Sequence, residues 1–130
     1  MPKYKFSQRS LDRMEGVHED MRRLMIAAIE RSPYDFGITE GLRGVTRQQE
    51  LVKDGKSQTM NSRHLTGHAV DVVAYVDGKV TWDFPVYERI AMHIMETAAK
   101  MDIPIVWGGN WKNFKDGVHF ELNKSFYKGN

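Results

Sequence analysis

The sequence predicts an α+β domain, a small and mainly antiparallel sheet with two main helices packed on it. Three observations lead there. Apolar residues recur at helical spacing in two segments, 17–28 and 87–101. Short runs at 36–39, 69–75, 79–82, 103–107 and 118–122 alternate or are rich in β-branched and aromatic residues. Asp77-Gly78 between two of these runs is a tight hairpin signal, which makes those strands antiparallel. A length of 130 residues suits one domain and is too short for two.

In order along the chain, Ser7–Met14 reads as a short leading turn, set off by Gly16 from the first main helix. In that helix Val17, Met21, Leu24, Met25 and Ala28 form one face, and Ser32-Pro33 ends it, because the residue before proline avoids the helical region. Phe36–Thr39 is a short strand. Thr46-Arg47-Gln48-Gln49 fits a capping box, with Thr46 as N-cap of a helix that runs to Asp54 and stops at Gly55. Residues 56–66 are polar and aperiodic. Ala69–Tyr75 is a strand with a single carboxylate, Asp71, and Lys79–Trp82 returns from the hairpin. Tyr87, Ile90, Ala91, Ile94, Ala98 and Met101 mark the second main helix. Ile103–Trp107 is an edge-like strand at Pro104, Gly108-Gly109-Asn110 a turn, and Val118–Leu122 the last strand.

Composition narrows the chemistry. With 41% hydrophobic and 28% charged residues the chain folds. No apolar run approaches the roughly 20 residues that span a bilayer, so no stable membrane insertion is expected. A formal net charge of +2 gives no reason to expect nucleic-acid binding. The absence of cysteine excludes disulfides, thiolate metal sites and thiol catalysis. A transition metal must then be held by carboxylates and the five histidines, His18, His64, His68, His93 and His119. The basic start, residues 1–6, is followed by no apolar stretch, which implies synthesis in the cytosol and release by another agent.

The polar information is densest in 62–71 and 116–119. A catalytic zinc site takes three His or carboxylate ligands and leaves a position for water. His64 in a loop, Asp71 on the next strand and His119 on the last strand can supply them. A carboxylate in an apolar strand needs a partner, either a metal or an Arg or Lys. Asp116, three residues before His119, can reach the same side if the chain bends at Gly117, where it would serve as a general base. His18 and His93 lie in amphipathic helices and read as structural or surface. His68 points away from the metal face.

Ser62-x-His64-x-x-Gly67-x-Ala69-x-Asp71 with Asp116-x-x-His119 resembles the zinc peptidases of peptidoglycan stem peptides. That family includes D-Ala-D-Ala dipeptidases, D-alanyl-D-alanine carboxypeptidases and L-alanyl-D-glutamate endopeptidases. The resemblance covers nearly the whole chain, with Glu40-Gly41-Leu42-Arg43, Gln48 and Trp107-Gly108-Gly109-x-Trp111 included. It implies one zinc ion on His64, Asp71 and His119. An Asp at 116, where dipeptidases and carboxypeptidases have Glu, points to the phage endopeptidase branch.

The implied protein is a phage or prophage endolysin. It would be a monomeric zinc peptidase domain over 1–130 without a separate wall-binding domain. It would be made in the host cytoplasm and reach the periplasmic wall with a holin-type partner. In the implied mechanism it hydrolyses the L-Ala–D-Glu amide with Asp116 as base. Arg43 either stabilises the oxyanion or forms a loop salt bridge. Ser62 either binds the substrate backbone or orients its loop. Trp111 either walls the cleft or joins the core, and Trp107 is structural. Lys56, Arg63, Lys112 and Lys115 either attract the acidic stem peptide or are solvated surface. The competing readings are a carboxypeptidase trimming terminal D-Ala and a non-catalytic, zinc-stabilised binding module.

Overall fold

A computed structural model describes residues 3–55, 62–111 and 115–127. The apolar run of strand β2 (Ala69–Val76) sits at the centre of a five-stranded sheet. Strand β1 (Asp35–Glu40) lines one side of it, from Asp35 opposite Tyr75 to Glu40 opposite Asp71. On the other side, strand β5 (His119–Leu122) pairs with Ala69–Asp71, and strand β3 (Lys79–Thr81) with Ala74–Val76. Strand β4 (Ile105–Trp107) adds to the outer side of β5. Every pairing is antiparallel. Between β5 and β3 the Val72 N–H donates to the Val118 carbonyl, and the Ala74 N–H to the Tyr87 hydroxyl.

The hairpin between β2 and β3 forms at Asp77-Gly78. Both residues have positive φ, 52° and 77°, the geometry whose twist matches a two-residue hairpin. Side chains alternate across the sheet. Val70, Val72, Ala74, Phe120 and Leu122 therefore enter the core, while Asp71, His119 and Glu121 share the opposite face.

Two long helices cover the core face. Helix α2 (Glu19–Ile29) follows the short helix α1 (Gln8–Arg13) and buries Met21, Leu24, Met25, Ala28 and Ile29. His18, expected within this helix, is its N-cap, and its Nδ1 accepts from the Asp20 N–H. The last long helix, α4 (Phe84–Lys100), starts with Pro85 in its first turn and buries Tyr87, Ile90, Ala91, Ile94 and Ala98. His93 donates to the Ala28 carbonyl and so ties the two helices together.

Three further expectations are corrected. Helix α3 (Val45–Lys53) starts before the expected cap, with Gly44 as N-cap and Thr46 inside the first turn. The extended backbone at Gly44 breaks the chain there without a capping side chain. The polar stretch also contains a 3₁₀ turn, Arg63–Thr66, capped by the Ser62 hydroxyl. Arg63, expected on the surface, is buried and donates to the Leu122 and Tyr127 carbonyls. Residues 56–61 and 112–114, with Lys56 and Lys112, lie outside the described residues.

Candidate metal centre

Local folding brings the candidate ligands together. The 3₁₀ turn carries His64, and Gly67 ends it with φ +75°. A side chain at 67 would stand 2.6 Å from the Gly16 carbonyl oxygen, so only glycine lets the chain pass there into β2. In the sheet, Asp71 lies directly across from His119. Ligand atoms of His64, Asp71 and His119 all fall within 4.8 Å of one another. His64 Nε2 and His119 Nδ1 are each 3.2 Å from the same oxygen, Asp71 Oδ1.

Each outer nitrogen has a hydrogen-bond acceptor of its own. His64 Nδ1 lies 2.8 Å from the Gly41 carbonyl, which can only accept. His119 Nε2 lies 2.9 Å from the Glu121 carboxylate. With its single proton on that outer nitrogen, each neutral ring aims a lone pair at Asp71. Two imidazole lone pairs and a carboxylate oxygen then converge, and such a set needs a positive charge among them. One candidate is a proton. Burial lowers the His119 pKa, but hydrogen bonds to Asp71 and Glu121 outweigh it and raise it to about 9. The other candidate is a metal ion, which the donor set fits. Burial raises the Asp71 pKa, and the contacts from His119 and His64 reverse this and hold it well below the usual carboxylate range.

Asp116 belongs to the same electrostatic cluster. Burial and the charge of Asp71 push its pKa up, and His119 and His64 offset only part of this. Its backbone is pinned on both sides, because its N–H donates to the Gly108 carbonyl and its carbonyl accepts from the His119 N–H.

A His-Asp-His set that could hold a metal ion, with a neighbouring carboxyl of raised pKa, is consistent with a metallopeptidase. A family model described as phage L-alanyl-D-glutamate peptidase matches residues 2–130. The chain belongs to this family. Among its relatives, the L-alanyl-D-glutamate peptidase of Escherichia phage T5 is 28% identical over 97% of this chain and 94% of its own. The peptidoglycan L-alanyl-D-glutamate endopeptidase CwlK of Bacillus subtilis is 32% identical over 74% of this chain and 65% of its own. The crystal structure of Serratia marcescens L-Ala D-Glu endopeptidase ChiX superposes with a TM-score of 0.91 at 44% identity, covering 98% and 96% of the two chains. The expected family and the α+β fold are both borne out.

Within this peptidase fold the remaining candidates divide. Arg43 is buried and grips Glu40 at two points, 2.8 and 2.7 Å, and Gln48 at 2.6 Å. Its Nη2 lies 3.7 Å from Asp71 Oδ2, so it also braces the carboxylate of the cluster. Ser62 accepts the His64 N–H at 3.2 Å and stands 3.5 Å from Arg43 Nη1. Trp111 is half-buried, its ring 5.0 Å from that of His119. Trp107 is core, and its indole N–H donates to the Gly117 carbonyl. His68 hydrogen-bonds Thr66 and neighbours His18, away from the cluster. Lys115 is exposed. Glu121 was missed. Its signal was the alternation of β5, which puts positions 119 and 121 on one face.

Proposed function

We propose that this chain is a phage or prophage endolysin that hydrolyses the L-Ala–D-Glu amide of peptidoglycan stem peptides with one zinc ion held by His64, Asp71 and His119. The observation that carries this reading is the convergence of the His64 and His119 imidazoles on the Asp71 carboxylate, in the same electrostatic cluster as Asp116. Two nitrogens and one oxygen are a frequent catalytic zinc set, which leaves a position open for reaction. When bound, zinc would act as a Lewis acid, making water more acidic and polarising the scissile carbonyl.

The chain's own residues do the rest. Asp116, with its raised pKa, takes a proton from the water that attacks the L-Ala carbonyl. As the amide C–N bond breaks, Asp116 returns the proton to the D-Glu amine. Arg43 holds Asp71 in register, and Ser62 and Trp111 line the approach of the stem peptide. A zinc-stabilised binding module would have no use for Asp116. Synthesis in the host cytoplasm, action as a monomer and passage to the wall with a holin-type partner belong to the same proposal. Among the described residues no helix is long and apolar enough to cross a membrane.

The test is turbidity loss of outer-membrane-permeabilised Gram-negative cells with wild type and Asp116→Asn. The variant should retain zinc and lose about 100-fold or more in rate, the usual contribution of a general base. Equal rates would overturn the mechanism.

A further inference from the structure

Glu121 stands on the cluster's face of the sheet, in register with Ala69 on one side and Val106 on the other. Its side chain is only 13% exposed. Burying a carboxylate this far is costly without a partner, and an apolar residue would fit a sheet position better. The partner is His119 Nε2 at 2.9 Å. A carboxylate is a pure acceptor, so this hydrogen bond forms only when Nε2 carries a proton, and in the neutral ring that proton is the single one.

That choice matters because the other nitrogen, Nδ1, faces Asp71. A neutral ring with its proton on Nδ1 would donate it to Asp71 Oδ1, forming a closed hydrogen bond in place of two lone pairs. His64 avoids this state through the backbone carbonyl of Gly41, which mutation of a side chain cannot remove. Among the described residues the His119 ring makes no comparable backbone contact, and its outer nitrogen is held by Glu121.

We infer that Glu121 is a positioning residue that selects the metal-binding tautomer of His119, holding its proton on Nε2 so that Nδ1 stays free to ligate. Glu121 lies outside the three-residue ligand set and acts through His119. Outer partners of ligating histidines are commonly worth about 10–100-fold in metal affinity. This inference rests on the proposed metal site, and its test therefore reads metal binding rather than hydrolysis.

The experiment measures zinc affinity by chelator competition for wild type, Glu121→Gln and Glu121→Leu at one pH. Gln keeps an acceptor oxygen and should stay within about fivefold of wild type, whereas Leu should bind about 10–100-fold more weakly. In parallel, ¹⁵N NMR of the zinc-loaded wild type should show His119 protonated at Nε2 and ligating through Nδ1. This second measurement needs no variant and stands if the Leu variant fails to fold. Zinc affinity of Glu121→Leu within twofold of wild type, or a wild-type His119 protonated at Nδ1, would overturn the inference alone. A wild type that takes up no zinc would overturn the metal site and this inference together. A role confined to fold stability would lower the melting temperature of metal-free Glu121→Leu and leave zinc affinity unmoved.

Discussion

Gly108 should tolerate almost no added volume. A Cβ built there stands 3.1 Å from the Cβ atoms of both Asp116 and His119, inside the 3.4 Å at which ordinary contact begins. It also runs into the Asp116 carbonyl oxygen more severely than into either Cβ. None of these atoms sits at the end of a flexible side chain, so relief requires the whole turn to move. A shift on the order of 1 Å follows, and it carries the proposed base and a proposed ligand together. Misplacement of that size costs about 100-fold in rate, about 2.7 kcal/mol of barrier. Overpacking should also lower stability by about 1–3 kcal/mol. The assay is kcat/KM for peptide release from purified peptidoglycan, with circular dichroism confirming the fold. Gly44→Ala is the control, since an added Cβ there meets nothing within 4 Å, and it should stay within about twofold of wild type. A folded Gly108→Ala enzyme within threefold of wild type would refute the claim that this close approach sets the site.

Other outcomes follow from the same geometry. His64→Ala should lower zinc content from one per chain to near none, read by atomic emission after dialysis; full occupancy would exclude His64 as a ligand. In the metal-free protein, the raised His119 pKa gives stability that is fully present below about 6.5 and lost as pH rises through about 9. Urea unfolding of the metal-free protein should therefore show a drop on the order of 3 kcal/mol between pH 6 and pH 9.5, and a flat profile would contradict it. For Asp71 the sign is opposite, with stability present above its ordinary pKa and lost in strong acid. Arg43→Lys should cost about 2 kcal/mol by breaking the two-point grip on Glu40, seen as a lower melting temperature.

Much of this was legible in the sequence because the relevant signals are local. Asp71 inside an apolar strand stood out as a carboxylate in need of a partner, and the Asp77-Gly78 hairpin fixed which strand pairs beside it. The helical spacing of 87–101 marked α4, and Met21, Leu24 and Ala28 marked the buried face of α2. What the sequence hid depends on tertiary partners. Arg63 looked like a surface cation because its neighbours are polar; its burial rests on the Leu122 and Tyr127 carbonyls, about sixty residues away. The start of α3 moved from Thr46 to Gly44 because an extended backbone at glycine can end a loop without a capping side chain. A four-residue 3₁₀ turn is too short to show a period, so the turn that presents His64 leaves no signal in the sequence. Glu121 lies two residues from a proposed ligand, and although 118–122 alternates as a strand, nothing in the sequence shows that its carboxylate reaches the outer nitrogen of His119.

Mass analysis of the fragments that the zinc-loaded protein releases from purified peptidoglycan identifies the bond it cleaves. The expected products are peptides that begin with D-Glu, with L-Ala left on the glycan strand. Release of free D-Ala from stem peptides that otherwise remain attached would contradict the proposed L-Ala–D-Glu cleavage.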